Sequence, residues 1–400
     1  MLSTIDLFAG CGGLADGFKQ SNKFELIAAV EWDKHAVNTL RNRLERKWNY
    51  PDVSSKVIHF DIQRTDELIH GFSEDEDYGS SEGLAKLVNS NRIDVVIGGP
   101  PCQAYSVAGR IRDENGMHDD YRNFLFESYI KVVEHFKPKA CIFENVQGML
   151  SASPGGVSII DRVTEAFDKA GYYISSNLRK EALFDTADFG VPQKRLRIII
   201  IAVSKSEFCE YEEVVRNFYN ELNSLKSKSI STVSDAIFDL PKIYPLEKPQ
   251  KKISHYLDDN QSRIYNHEPR FHNVRDVEIF KLLAEDIRCG SNKYIHSDEL
   301  KKLYTERTGK QSSVHKYHVL RSERPSNTIP AHLYKDGLRH IHPDPEQARS
   351  ITVREAARLQ TFDDDFYFTA SQGSNYRMIG NAVPPLFAKK IALALYKALK

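Results

Sequence analysis

The stretch Asp94-Val-Val-Ile-Gly-Gly-Pro-Pro-Cys-Gln103 decides the fold, because an apolar run in it ends in a turn that presents a cysteine. The β-branched run from Ile93 to Ile97 predicts a strand buried on both faces, as in parallel sheets. The prolines end it, since proline fixes φ and donates no hydrogen bond. Cys102 is therefore predicted just beyond the carboxyl end of a strand, where open α/β sheets bind ligands. An inert core cysteine is the alternative, which the polar residues from Ser106 to Asn123 make less favourable.

Short apolar strands are predicted before this loop, and each ends in residues suited to a nucleotide-like ligand. These strands are Thr4–Phe8, Phe24–Val30 and Val57–Phe60. The first runs into Ala9-Gly-Cys-Gly-Gly-Leu14 and a helix, which is typical of a nucleotide-binding βαβ unit, with an ordinary tight turn as the alternative. Glu31, at the tip of the second, is suited to hold a pair of ribose hydroxyls, whereas Asp33 is better explained as a helix cap. Asp61 places a further carboxylate at the same edge.

Two further apolar strands follow the loop and carry charged residues at their ends. Lys139–Phe143 is predicted to be a strand that ends at Glu144, which would supply a proton beside Cys102 if the two strands are neighbours. The segment 190–203 is predicted to be a strand with Arg195 and Arg197 at its entrance, both on one face. Two guanidinium groups on one face favour a phosphate or a polarised carbonyl. The alternatives are a surface glutamate and a solvated pair of arginines.

The amino-acid composition and net charge indicate an ordinary soluble protein. Its 55 basic and 55 acidic residues balance, which disfavours a protein that coats nucleic acid but allows a local basic cleft. The five cysteines contain no Cys-x-x-Cys pair, and His267-x-x-Arg270-x-His272 lacks a third ligand at a suitable spacing, so no metal site is predicted. Because no apolar run approaches the roughly 18 residues of a membrane span, we expect a cytoplasmic protein without a membrane segment.

The chain is predicted to form two domains. The α/β pattern covers residues 1–204 and returns at 372–400, which indicates one catalytic and cofactor-binding domain with a doubly wound, mostly parallel sheet. Between them, residues 205–371 form a second, smaller domain of irregular pattern. Within it, 301–324 holds seven Lys or Arg against two Glu, which fits contact with a phosphate backbone or, alternatively, a solvated charged face. Residues 71–91 are interpreted as a surface insertion.

Taken together, the motifs resemble those of the cytosine-5 DNA methyltransferase family of bacterial restriction-modification systems, in the order that this family uses. The matching segments are Asp6-Leu-Phe-Ala-Gly-Cys-Gly-Gly-Leu14, Gly99-Pro-Pro-Cys-Gln103, Glu144-Asn-Val146, Gln193-x-Arg-x-Arg197 and Gly380-Asn-Ala-Val383. The resemblance covers nearly the whole chain. Two positions depart from the family pattern: Tyr105 stands where Phe is commoner, and Asp363 where Pro often follows Thr-Phe. Neither is expected to touch a catalytic atom.

The resemblance implies a Rossmann-like fold that uses S-adenosylmethionine, and it assigns residues to two sites. The implied catalytic residues are Cys102, Glu144, Arg195 and Arg197. The implied cofactor-binding residues are Phe8, Gly10, Gly12, Gly13, Leu14, Glu31, Trp32, Asp61, Ile62, Pro101, Asn381 and Val383. In this scheme Cys102 adds to carbon 6 of a cytosine flipped out of the duplex, and carbon 5 then takes the methyl group.

The same resemblance implies partners and leaves alternatives open. Double-stranded DNA is the expected substrate, residues 205–371 are the expected target-recognition domain, and the protein itself is expected to be a monomer. Whether a cognate restriction endonuclease is encoded nearby is left open by the sequence. The recognised base sequence is not carried by the motifs. The alternatives are an RNA cytosine-5 methyltransferase, which the long variable segment disfavours, and a catalytically inactive DNA-binding homologue.

Overall fold

The structure is a computed structural model that describes residues 1–89, 92–101, 125–153, 156–258, 264–335 and 337–400. In these residues the chain forms two compact units. The first unit consists of residues 1–190, 195–228 and 382–400, and the second of residues 191–194 and 229–381. The first unit therefore extends beyond the boundary at 204 that the sequence suggested, and the roles assigned to the two domains stay predictions.

The strands of both units are short, and those at the centre of the large sheet are mostly buried. They are β1 (Leu2–Leu7), β2 (Phe24–Glu31), β3 (Val57–His59), β4 (Phe72–Asp75), β5 (Gly79–Ser81), β6 (Val95–Gly98), β7 (Ala140–Val146), β8 (Tyr172–Tyr173), β9 (Leu183–Asp185), β10 (Leu196–Ser204), β11 (Ile243–Gln250) and β12 (Ile253–Leu257).

The helices surround the strands of the first unit and make up much of the second. They are α1 (Gly13–Gln20), α2 (Lys34–Trp48), α3 (Val53–Lys56), α4 (Thr65–His70), α5 (Gly83–Val88), α6 (Leu125–Phe136), α7 (Ile159–Lys169), α8 (Leu178–Glu181), α9 (Tyr211–Ser224), α10 (Val233–Ile237), α11 (Val274–Arg288), α12 (Ser297–Thr308), α13 (Val353–Leu359), α14 (Gln372–Asn381) and α15 (Pro385–Ala398). Short 3-10 turns lie at Gln147–Ser151, Thr186–Phe189, Lys293–Ile295 and Ala331–Tyr334.

The first unit is built on one sheet in the order β3-β2-β1-β6-β7-β10-β8, with β9 paired to β10. Strands β3, β2, β1, β6 and β7, neighbours in this order, run parallel to one another, whereas β10 runs antiparallel to β7. This confirms the α/β class and the mostly parallel sheet. Ile198–Val203 of β10 are entirely buried, which explains why the sequence there reads as a continuous apolar run.

Helices α1 and α15 pack very closely in this unit, because a glycine, which has no side chain, lies at the contact. A Cβ added to Gly17 would lie 2.5 Å from the Pro385 carbonyl oxygen and 2.4 Å from the Ala388 Cβ. In the first turn of α1, next to Gly17, Asp16 accepts hydrogen bonds from the Arg43 guanidinium (2.7 Å) and from Trp48 Nε1 (2.8 Å), which joins α1 to α2. Asp33 caps α2, as the sequence predicted, and accepts hydrogen bonds from the amides of His35 and Ala36.

Two features of the first unit differ from the sequence interpretation. The segment 71–91 is not only surface: the hairpin β4–β5 leads into α5, where Leu84 and Val88 are buried. The strand predicted from residue 190 begins only at Leu196, because Thr186–Phe189 forms a 3-10 turn that ends at Gly190 with φ 84°.

The second unit contains the hairpin β11–β12 and a helical part, α11 and α12, which buries Ile279, Phe280, Leu283 and Leu303. The first third of the predicted basic stretch 301–324, residues 301–308, belongs to α12, where Lys301 and Lys302 pair with Asp298 and Glu299 one turn earlier. The stretch Gln372–Ala398 is long and apolar enough to cross a membrane, with mean hydropathy 1.2, but 67% of its apolar window is buried within the protein, as in core helices.

Candidate active site

The functional residues predicted from the sequence gather at the carboxyl edge of the parallel strands. Leu7 of β1 lies opposite Val30 of β2 and Gly98 of β6, and Gly98 lies opposite Phe143 of β7. The residues that follow these positions therefore emerge at one edge. Because β10 is antiparallel to β7, the start of β10 reaches the same edge, with Arg197 opposite Val146.

The glycine-rich loop after β1 leaves open space at one glycine and a tight contact at another. Phe8 adopts φ 58°, and Gly10 adopts φ 56° with no atom within 4 Å of an added Cβ. At Gly13, by contrast, a Cβ would lie 2.2 Å from the Val383 carbonyl oxygen. The loop thus opens at Gly10 and supports the segment containing Val383 at Gly13, while Gly12 caps α1 and Leu14 is buried in its first turn.

Glu31 connects the glycine loop to the end of β2. Its buried carboxylate accepts hydrogen bonds from the amides of Gly10 (2.8 Å), Trp32 (2.9 Å) and Asp33 (2.8 Å). Burial raises the pKa of Glu31, and the three amides act in the opposite direction. The Trp32 side chain beside it is 60% exposed, which is unusual for a tryptophan that does not contact a ligand or partner.

Asp61 follows β3 at the same edge. Its Oδ1 accepts a hydrogen bond from the Gln63 amide at 3.0 Å, and the neighbouring Ile62 is buried. Since Glu31 and His59 are opposite each other in the β2–β3 register, the carboxylates of Glu31 and Asp61 follow adjacent strand ends. The two acids therefore lie at the same edge as the open loop at Gly10.

Glu144, on β7, forms an ion pair with Arg197 of β10. The Arg197 Nε lies 2.8 Å from Glu144 Oε1, and both side chains are nearly nine-tenths buried. A Cβ on Gly99 would lie 2.6 Å from the other carboxylate oxygen, Oε2. The Glu144 carboxylate therefore contacts the backbone of the Gly-Gly-Pro-Pro loop, three residues before Cys102. Cys102 itself lies outside the described residues.

Arg195 has different surroundings from Arg197. Its side chain is 1% exposed, and its Nη2 donates a hydrogen bond to the Ala382 carbonyl oxygen at 3.1 Å. Burial, and then the charge of Arg197, lower the pKa of Arg195. The sequence pattern placed both arginines on one face; in the structure Arg195 contacts the segment that carries Val383, and Arg197 pairs with Glu144.

Asn145 is a site residue to which the sequence pattern assigned no role. Its buried amide donates a hydrogen bond from Nδ2 to the Pro100 carbonyl oxygen at 3.3 Å, and its Oδ1 accepts one from the Val146 amide at 2.8 Å. It therefore fixes the loop that leads to Cys102. Its position inside the Glu144-Asn-Val146 motif was the signal in the sequence that could have pointed to it.

The remaining predicted residues lie in different places. Pro101 is partly exposed after β6, Val383 is buried, and Asn381 is exposed at the end of α14 in the second unit.

The histidines considered for a metal site have ordinary structural partners. His267 contacts the Thr352 hydroxyl (3.0 Å) and the Pro241 carbonyl oxygen (2.9 Å), and His272 Nε2 contacts Ser350. Within the described part of the chain, no group of three or more His, Cys, Asp or Glu residues could hold a metal ion.

The model of the family described as C-5 cytosine-specific DNA methylase matches residues 2–397. The chain belongs to this family. The methyltransferase is 33% identical to the type II methyltransferase M.Bpa9945I of Bacillus paralicheniformis, over 98% of each chain. It is 31% identical to the type II methyltransferase M1.HphI of Haemophilus parahaemolyticus, over 99% of this chain and 87% of the relative.

Solved structures agree with this membership. A DNA modification methyltransferase encoded within an E. coli prophage superposes with TM-score 0.60 and 25% identity, covering 100% of this chain and 99% of that one. The Entamoeba histolytica methyltransferase EhMeth, at TM-score 0.55 and 15% identity over 100% and 99% of the two chains, shares the fold. The protein is thus a C-5 cytosine DNA methyltransferase whose relatives modify DNA in type II restriction-modification systems, and enzymes of this kind use S-adenosylmethionine.

Proposed function

We propose that the methyltransferase acts through a covalent adduct between Cys102 and a cytosine flipped out of duplex DNA. The observation that supports this best is the Glu144–Arg197 ion pair, which lies against the backbone of Gly99. It provides an acid and a cation next to the loop that carries the cysteine. A base inside a duplex exposes neither ring face, so flipping, at a cost of a few kcal/mol, precedes the chemistry.

Each side chain has a defined part in the proposed reaction. The Cys102 thiolate forms a bond to carbon 6, and the electron pair displaced from the ring develops at N3, where protonated Glu144 donates its proton. Arg197 holds Glu144 and the cytosine carbonyl oxygen, and Arg195 supports the loop segment at Ala382. When bound, S-adenosylmethionine would supply the methyl group that carbon 5 takes and would leave as S-adenosylhomocysteine. A base or water then removes the carbon 5 proton, and its electron pair restores the carbon 5–carbon 6 double bond as the carbon 6–sulfur bond breaks. The Cys102 thiolate is released, and the N3 proton returns to the Glu144 carboxylate.

The sheet edge at the ends of β1, β2 and β3 fits S-adenosylmethionine. Glu31 would accept hydrogen bonds from the ribose hydroxyls, and Asp61 from the adenine amino group. The exposed indole of Trp32 and the open space at Gly10 leave room for a flat base. The other residues of this cofactor proposal are Phe8, Gly12, Gly13, Leu14, Ile62, Pro101, Asn381 and Val383.

The further parts of the proposal concern DNA recognition, partner proteins and location in the cell. We assign target recognition to residues 205–371, because the irregular second unit lies mainly in this range and the motifs of the chemistry lie mainly outside it. The proposal also includes, by analogy with the type II relatives, a restriction endonuclease encoded nearby, a monomeric state and a cytoplasmic location.

An exchange of domains tests the assignment of target recognition. Exchanging residues 205–320 with those of a relative that reads another sequence should change the methylated site. Unchanged specificity would refute this assignment.

The substitution Cys102→Ser tests the reaction. We expect it to abolish methyl transfer to duplex DNA, whereas the dissociation constants of DNA and S-adenosylhomocysteine should stay within about twofold, because a hydroxyl is a far weaker nucleophile than a thiolate. Cys209→Ser is the matched control, since Cys209 is exposed and lies outside the proposed site. Wild-type activity in Cys102→Ser would overturn the mechanism. RNA and DNA substrates assayed side by side distinguish the two nucleic acids.

A further inference from the structure

The hairpin β4–β5, residues 72–81, follows the predicted adenine-binding end of β3 after only one short helix. It is tied to this end by two contacts, a ring stack and an ion pair. The Phe72 ring stacks on the Phe60 ring, with centroids 4.0 Å apart and an interplanar angle of 17°. The Arg64 guanidinium lies 4.7 Å from the Phe60 centroid and pairs with Asp75 at 2.6 Å. The hairpin is therefore anchored on both sides of Asp61, through Phe60 and through Arg64.

The turn of this hairpin places one aromatic side chain back on the β3 end. The Asp75 carboxylate accepts hydrogen bonds from the amides of Asp77 and Tyr78, both at 3.0 Å, which fixes the turn. The Tyr78 ring then contacts the rings of Phe60 (5.1 Å between centroids, edge-on) and His59 (4.9 Å, edge-on). Tyr78 is thus held against the two residues that precede Asp61.

The same contacts extend to Trp32. His59, which touches the Tyr78 ring, has its Nε2 2.9 Å from the Trp32 carbonyl oxygen. Tyr78 and Trp32 therefore flank His59 at adjacent strand ends, and both side chains retain exposed surface. Burial, followed by the charges of Asp61, Asp77 and Asp75, raises the pKa of Tyr78, so its hydroxyl keeps its proton at neutral pH.

We propose that the hairpin β4–β5 is an outer wall of the adenine subsite and that the Tyr78 ring covers the adenine of S-adenosylmethionine. This inference rests on the cofactor site proposed above. It gives residues 72–81 a role in holding the cofactor, in addition to covering β3. The expected ligand class is any molecule with an adenosine group, including S-adenosylhomocysteine and 5′-methylthioadenosine.

Binding measured by titration calorimetry on the full-length protein tests this role without relying on methyl transfer. Tyr78→Ala should weaken S-adenosylhomocysteine binding about tenfold, the size of one base–aromatic contact. Tyr78→Phe should bind within about twofold of the wild type, because the ring is kept. The same loss is expected for 5′-methylthioadenosine, since the contact is made to the base and not to the amino-acid part. Glu76→Ala, in the same turn and exposed, is the matched control.

Two further variants separate this inference from the proposed site. Asp75→Asn removes the ion pair with Arg64 but keeps the Tyr78 ring, and binding should weaken several-fold as the hairpin loosens. Asp61→Ala tests the cofactor site itself. If Asp61→Ala weakens binding and Tyr78→Ala does not, the wall assignment is wrong while the site stands. If both variants bind as the wild type does, the proposed site fails as well. Equal melting temperatures identify folded variants.

Discussion

The two units of the methyltransferase are stabilised by different kinds of core. In the first unit the centre of the sheet is mostly aliphatic, and its interior charges are few: Asp6 of β1 and the Asp16–Arg43 ion pair between α1 and α2. Other charged side chains lie at the edge of the sheet, where the chemistry is proposed. In the second unit fully buried charges and histidines occupy the interior: Arg349, Arg354, Glu355, His255, His272, His340 and His342. The hydrophobic effect tolerates changes of pH, whereas a buried ionic network does not.

The network of the second unit is held by specific partners. Arg349 donates two hydrogen bonds to the Glu355 carboxylate, each at 2.7 Å, and Glu355 also completes a capping box with Thr352 at the start of α13. Arg354 donates to three backbone carbonyls, those of Tyr265, Asp363 and Phe366. The contrast teaches that the charges proposed for the reaction lie at the edge of the first sheet, whereas the charges inside the second unit stabilise its architecture.

Replacing Glu144 by Gln should give the largest effect, and chiefly on catalysis. Removal of the acid that would protonate the ring is expected to lower kcat about 10²–10⁴-fold. S-adenosylhomocysteine affinity should be unchanged, because Glu144 is not among the proposed cofactor residues, whereas the melting temperature should fall, because the nearly buried Arg197 loses its anion. Single-turnover transfer of a labelled methyl group measures the effect. A rate within tenfold of the wild type would remove Glu144 from the chemistry.

The same chemical change in the second unit, Glu355→Gln, should affect stability instead. It leaves the buried Arg349 without its anion, which costs about 3–5 kcal/mol. Hydrogen exchange followed by mass spectrometry should show lost protection in residues 229–381. Glu346→Gln, at an exposed position, is the control. Unchanged protection would mean that the interior charge is not structural.

Acidification should distinguish the two units. Burial lowers the pKa of His255 and His342 to about 4, and of His272 and His340 to about 3. Below the ordinary histidine pKa of about 6.5, the unfolded chain binds protons that the folded unit does not bind. Each of these histidines therefore lowers the free energy of unfolding by up to about 1.4 kcal/mol per pH unit as the pH falls. The second unit is therefore most stable above about pH 6.5, and it loses this stability as the pH falls towards 4.

The buried acids of the first unit act in the opposite direction. Burial raises the pKa of Asp6 and Glu31, so their contribution is present at low pH and is lost as the pH rises through the raised values. Hydrogen exchange at pH 7.5 and pH 5.0 should show loss of protection first in the second unit. Earlier loss in the sheet strands would contradict the comparison.

Helix caps should give the smallest effects, and equal ones in both units. Asp33 caps α2 in the first unit and Asn273 caps α11 in the second, each by accepting a backbone hydrogen bond. Replacement of either by Ala should cost about 1 kcal/mol. Urea denaturation measures both. A difference of more than about twofold would show that local helix chemistry depends on the surrounding core.

The sequence predicted the first unit well, because its strands are short apolar runs that end in glycine, proline or an acid. The second unit was not predicted in this way. His255, His340, Arg349 and Arg354 are polar residues in an irregular pattern, and only tertiary contacts make them interior.

The site was predicted in part, for the same reason. Glu144, Arg197, Glu31 and Asp61 stand at strand ends, where the sequence placed them. The separate role of Arg195, the bond from Asn145 to Pro100 and the contact of Tyr78 with Phe60 depend on residues far apart in the chain. No periodicity or spacing encodes such contacts.

The most direct test of the central claim is mass spectrometry of the protein incubated with S-adenosylmethionine and a duplex in which the target cytosine is 5-fluorocytosine. Fluorine at carbon 5 cannot leave as a proton does, so the adduct at carbon 6 should persist. The account predicts one covalent complex, with the nucleotide mapped to the peptide that contains Cys102. A complete absence of adduct in an active preparation, or an adduct at another cysteine, would contradict it.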